Sequence, residues 1–148
     1  MLKPQVVFVT DPLCSWCWAM LPEMHLVRSQ LSGWADFDLL MGGLQVGNRR
    51  PPVEADVNML QELWRKVAES TGQKFLGQMP ADPKFIYHSE VACRAVEAMR
   101  LFQKQPPWEF FEKLQGAFYL QARNLNSVDE LGELAEPFGI SPTDLDRM

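Results

Sequence analysis

The first apolar run, Val6-Val7-Phe8-Val9, is β-branched and aromatic with little polar alternation, so Gln5 to Thr10 reads as a strand buried on both faces, central and parallel in its sheet. The period then becomes helical. Met20, Met24, Val27 and Leu31 form a stripe with Pro22 inside it as a kink and Ser32-Gly33 as its close. Asp36 to Met41 returns to a strand pattern ended by Gly42-Gly43. Strand, helix, strand over ~40 residues is a βαβ unit, with parallel strands and a right-handed crossover.

Leu44 to Pro52 has no period and ends in Pro51-Pro52, which marks a boundary between an N-terminal βαβ part, 1–48, and a second part, 49–148. From Val53 every apolar stripe is helical. One holds Val57, Leu60, Leu63, Trp64 and Val67; a second holds Ala92, Ala95, Val96, Met99 and Phe102. A third holds Phe110, Phe111, Leu114, Ala117 and Phe118. The fourth, Val128 to Phe138, opens on Ser127 with Glu130 three residues on, a capping box, and closes on Gly139. Ser141-Pro142-Thr143-Asp144 is another helix start, and the sequence stops inside the helix it has just begun.

Composition narrows the function. The chain has 148 residues, 47% hydrophobic and 22% charged, and its net charge is −5. A chain of this size buries enough surface to hold a core without disulfides or a structural metal. The acidic balance, with Arg49-Arg50 as the one basic doublet, argues against nucleic acid as a partner. The apolar stretch from Pro12 to Pro22 is shorter than the ~18 residues of a membrane span and is broken by proline. The first residues carry no export signal, so a cytoplasmic protein is expected, with no membrane partner.

Two of the three cysteines stand as Cys14-Ser15-Trp16-Cys17, behind a buried strand and an Asp11-Pro12 helix start. A helix N-terminus favours a thiolate, which makes Cys14 the candidate nucleophile. Cys17, one turn deeper, is placed to resolve a mixed disulfide. A metal is not expected, because His25, His88 and Cys93 stand singly and far apart and complete no ligand set. Cys93 lies beside an apolar stripe and reads as a buried small hydrophobe. Trp16 and Trp18 flank the motif as an apolar rim for a partner peptide, with core packing as the competing role. Arg49-Arg50 could hold an acidic group such as glutathione, against a plainer reading as solvated loop.

Asp11-Pro12-Leu13-Cys14-Ser15-Trp16-Cys17-Trp18 after a short strand resembles the DsbA-like branch of the thioredoxin superfamily, in particular its FrnE-like dithiol-disulfide isomerases. Gly42-Gly43, Arg49-Arg50, Thr71-Gly72-Gln73, His88-Ser89-Glu90 and Ala92-Cys93-Arg94-Ala95 are similar to that group as well. The resemblance implies an α/β protein in which a helical domain is inserted into a thioredoxin-like fold. It also implies that Cys14 attacks and Cys17 resolves. The two further strands and the cis-proline loop of that fold are not matched in this chain. The first strand should therefore keep an open edge, which favours homo-oligomers, and activity should be weakened. The implied function is a thiol-disulfide oxidoreductase or isomerase acting on protein or small-molecule thiols and disulfides, with glutathione as a thiol partner and no bound cofactor. The alternatives are a glutathione-dependent isomerase or transferase of the kappa or hydroxychromene-carboxylate isomerase type, and a non-catalytic truncated interaction module.

Overall fold

The computed structural model describes residues 2–146. Strands β1 (Gln5–Thr10) and β2 (Asp36–Met41) pair in parallel, with Gln5 beside Asp36 and Thr10 beside Met41. One face turns Phe8, Phe37 and the fully buried Leu39 toward the core. Phe8 stacks on Phe37 and meets Trp108 edge-on at 5.8 Å. The other face is bare: Val7, Val9 and Leu40 are 48%, 68% and 51% exposed. The expected burial of β1 on both faces is thus corrected to burial on one, because the described helices pack against a single side of the sheet. Among the described residues β2 is its one partner, so the other edge of β1 is open rather than flanked as a central strand's would be.

Between the strands, the expected kink is a full break. Helix α1 (Ser15–Ala19) ends at Met20 and α2 (Leu21–Leu31) begins with Pro22 in its first turn, where the missing N–H costs nothing. The break changes which residues face inward. Leu21 and Met24 are buried while Met20, Val27 and Leu31 of the predicted stripe are exposed. Polar ties hold α2 to the helical half: His25 and Arg28 both reach Glu112, and the Arg28 guanidinium lies 3.8 Å over the Trp108 ring.

The second half consists of α3 (Glu54–Thr71), α4 (Glu90–Gln103), α5 (Trp108–Gln121), α6 (Val128–Ala135) and α7 (Pro142–Asp146). These match the predicted stripes and the predicted final helix start. Asp56 reaches back to the Val53 N–H at 3.1 Å to open α3, and Gly72, at φ +76°, closes it in a left-handed conformation that costs glycine no Cβ clash. Ser127 caps α6 by accepting the Glu130 N–H at 3.3 Å. The reciprocal half of the capping box is absent, because the Glu130 carboxylate takes Arg123 and the Asn124 N–H instead. One buried cluster runs through both halves, joining Leu13, Trp18, Met24 and Leu39 to Trp64, Met99, Phe118 and Tyr119. Arg100 on α4 fastens β2, donating to Asp38 at 2.7 Å and to the Leu39 carbonyl. Among the described residues no helix is long and apolar enough to cross a membrane.

Candidate active site

The C-x-x-C segment is built by a turn and then a cap. The Cys14 N–H donates to the Asp11 carbonyl at 3.1 Å, closing a turn over Asp11-Pro12-Leu13. The helix then starts at Ser15, with Cys14 rather than Asp11, three residues earlier, as N-cap in an extended conformation. Its Sγ accepts the Cys17 N–H at 3.3 Å, the bond that a serine or aspartate cap would make. Both cysteines are free thiols of intermediate exposure, close enough for each to shift the other's titration.

The Asp11 side chain serves a different purpose from the helix cap expected of it. It is 2% exposed, and four donors surround it. Oδ1 takes the Leu13 N–H at 2.8 Å; Oδ2 takes the Leu44 N–H at 2.7 Å, the Ser89 hydroxyl at 2.7 Å and the Cys93 thiol at 3.4 Å. Ser89 is the N-cap residue of α4, yet its hydroxyl is turned away from that helix to Asp11. One step along, the Leu13 carbonyl accepts the Tyr87 and Tyr119 hydroxyls at 2.8 and 2.6 Å. The motif is therefore gripped from the helical half on both sides of Pro12. Cys93 is buried as expected, but as a donor to a carboxylate rather than only a packing residue. Burial, and then the charge of Asp11, push its thiol up to about 12.

Electrostatics treat the two site thiols as a unit. The neighbouring Cys14 thiol lowers Cys17 to about 6 against the opposing effect of burial. The Cys17 thiol, and then burial, raise Cys14 well above an ordinary thiol. Such a pair loses its first proton early and holds its second, and the two apparent values belong to the pair. The sequence placed the thiolate on Cys14 alone. The opposite directions of the two shifts make the pair, rather than Cys14 by itself, the group that loses the first proton.

Trp16 is 54% exposed and lines an open groove with Cys17, Met20, Glu23 and Thr71. Trp18 does not join it. Its indole N–H donates to the Lys74 carbonyl at 2.8 Å and its ring stacks on Tyr119, so the rim assigned to it is corrected to core. A larger surface hollow lies elsewhere, lined by His25, Arg28, Phe37, Gln105, Trp108 and Glu109, and no cysteine lines it. Arg50 pairs with Asp56 at 3.4 Å, and Arg49 is exposed in the same loop.

No family model matches the chain. Among solved structures, a candidate protein disulfide isomerase from Nitrosomonas europaea superposes with a TM-score of 0.84 at 28% identity, over 97% of this chain and 69% of that one. The chain has a DsbA-like thioredoxin fold. The cytosolic disulfide reductase DsbM from Pseudomonas aeruginosa, solved alone and with GSH, shares this DsbA-like fold. It gives a TM-score of 0.74 at 20% identity for the form without GSH, over 99% of this chain and 70% of that one. The ClpXP adapter protein SpxH of Shouchella clausii is 26% identical over 149 residues, which is 93% of this chain and 45% of that protein. The DsbA-like chain thus spans less than half of the curated relative it matches.

Tyr87 and Tyr119 escaped the sequence reading of this site, and Ser89 entered it only within the segment His88-Ser89-Glu90. The one signal available was scarcity, since the chain has two tyrosines among its eleven Phe and Tyr residues taken together.

Proposed function

We propose that the protein is a thiol-disulfide oxidoreductase or isomerase that works through Cys14 and Cys17 in the cytoplasm, on protein or small-molecule disulfides. The observation that carries this reading is the pair of free thiols at the start of α1, with the Cys17 N–H on the Cys14 sulfur and a first proton that leaves below the ordinary thiol range. The names of the two disulfide-handling structures above, one of them cytosolic and solved with GSH, support it.

With the pair's remaining proton on Cys17, Cys14 Sγ is the thiolate and attacks one sulfur of a substrate disulfide. That S–S bond breaks, a mixed disulfide with Cys14 forms, and the departing thiolate takes a proton from water. After Cys17 loses its proton, its thiolate attacks Cys14 Sγ. The mixed disulfide breaks, the Cys14–Cys17 disulfide forms, and the second substrate sulfur leaves. Two electrons have passed to the substrate. Two molecules of a small thiol such as glutathione return them and leave as one disulfide. Trp16, exposed beside Cys17, is the contact proposed for the incoming chain.

The deciding experiment equilibrates the protein in glutathione buffers and follows alkylation by mass. A reversible two-electron transition, lost in Cys14→Ser and Cys17→Ser, is expected. A persistent single glutathione adduct would favour a glutathione-dependent isomerase or transferase instead. An inert pair would favour a binding module, the second reading, for which the adapter name of SpxH speaks. The free edge of β1, with Val7 and Val9 exposed beside it, is further proposed to pair with a second copy of the chain.

A further inference from the structure

The chain holds nine phenylalanines and two tyrosines, and both tyrosine hydroxyls end on a single oxygen. A phenylalanine would fill either ring position with nearly the same volume, so what these sites specify beyond packing is the O–H. The oxygen they share belongs to the peptide between Leu13 and Cys14. Its position sets the direction of the Cys14 N–H, which donates to the Asp11 carbonyl, and of the Cys14 Cα–Cβ bond. Both tyrosines come from the helical half, Tyr87 just ahead of α4 and Tyr119 within α5. Tyr119 is locked by rings: it stacks on Trp18 and meets Trp64 and Phe75 edge-on at 5.4 and 5.1 Å. Burial raises both tyrosines above the ordinary phenol value, and so does the nearby charge of Cys14, so the hydroxyls remain donors.

We propose that Tyr87 and Tyr119 are positioning residues for the thiol pair: their hydroxyls hold the Leu13 carbonyl and offset its negative end beside Cys14, which keeps the Cys14 sulfur on the Cys17 N–H and stabilises the reduced form. The proposal rests on the disulfide-exchange reading above. It assigns to the helical half a part in setting the redox balance of the thiols, beyond covering the sheet.

Tyr87→Phe, Tyr119→Phe and the double variant test it in the full chain. The readouts are the equilibrium constant of the Cys14–Cys17 disulfide with glutathione and the pH profile of thiol alkylation, with circular dichroism and urea unfolding as checks on the fold. Each single variant should favour the disulfide about threefold more than wild type does, and the double variant about tenfold, from the loss of one and two neutral hydrogen bonds. The alkylation profile should move to higher pH. Folded variants whose equilibrium constant and pH profile match wild type within twofold would make the hydroxyls structural only and overturn the proposal. If the double variant does not fold, the single variants, which leave Leu13 one donor, decide. A wild-type protein without a reversible disulfide would sink the proposed function instead, and the alkylation profiles would still judge the positioning role.

Discussion

Replacing Asp11 with asparagine tests whether the joint between the two halves carries as much stability as its geometry implies. Oδ1 holds one donor, the Leu13 N–H at 2.8 Å, and Oδ2 holds three, from Leu44, Ser89 and Cys93. An asparagine must put its NH₂ at one of these positions. The better choice is the Oδ1 side, where it faces the Leu13 N–H and leaves that buried donor unpaired. An unsatisfied buried donor costs about 1–3 kcal/mol, and the three surviving bonds lose the strength that a charged acceptor gives them, so the total is about 3 kcal/mol. For a chain of this length that is a fall of about 10 °C in Tm. Urea unfolding of the reduced protein, with thermal melts beside it, measures both. A loss under about 0.5 kcal/mol would show that water or a rearranged loop replaces the carboxylate, and would refute the view that Asp11 is the joint.

Other expectations are independent of that one. Cys17→Ser should accumulate a mixed disulfide on Cys14 when given a disulfide substrate, whereas Cys14→Ser should not; the reverse pattern by mass spectrometry would exchange the two roles. Cys17 is lowered to about 6, so from there to the ordinary thiol range the folded reduced protein binds fewer protons than the unfolded chain, and its stability should rise with pH. Above that range the unfolded thiols ionise while Cys14 and Cys93, both raised, keep their protons, so stability should fall again. Urea midpoints of the reduced protein against pH would show this peak, and a flat profile would contradict the early loss of the pair's first proton. Lys104 closes α4 at φ 56° as a non-glycine residue, so Lys104→Gly should stabilise the fold by about 0.5–1 kcal/mol in urea unfolding. Val9→Lys, on the bare face beside the free edge, should abolish any self-association seen by light scattering while leaving the melting temperature of the monomer nearly unchanged.

The sequence by itself determined the order of elements and the place of the chemistry. The strand pattern of Asp36 to Met41, the helical stripes after Val53, the interruption at Pro22 and the C-x-x-C at a helix start are all local properties. A missing N–H or a repeat of apolar residues acts within a turn or two of where it is written. What only the tertiary structure decided was where the side chains of those elements go. β1 is as apolar on its bare face as on its buried one, and burial depends on whether other elements arrive to cover it. Trp16 and Trp18 look alike in sequence, yet Lys74 and Tyr119 take one into the core and leave the other in the groove. Asp11 reads as a local cap because its distant donors, Ser89 and Cys93, lie 78 and 82 residues further along the chain. Leu13 finds a donor in Tyr119 at a separation of 106 residues. A polar group in the core must find partners, but which partners it finds is settled by packing, since the aromatic cluster that brings the helical half against the motif is what carries those donors to it.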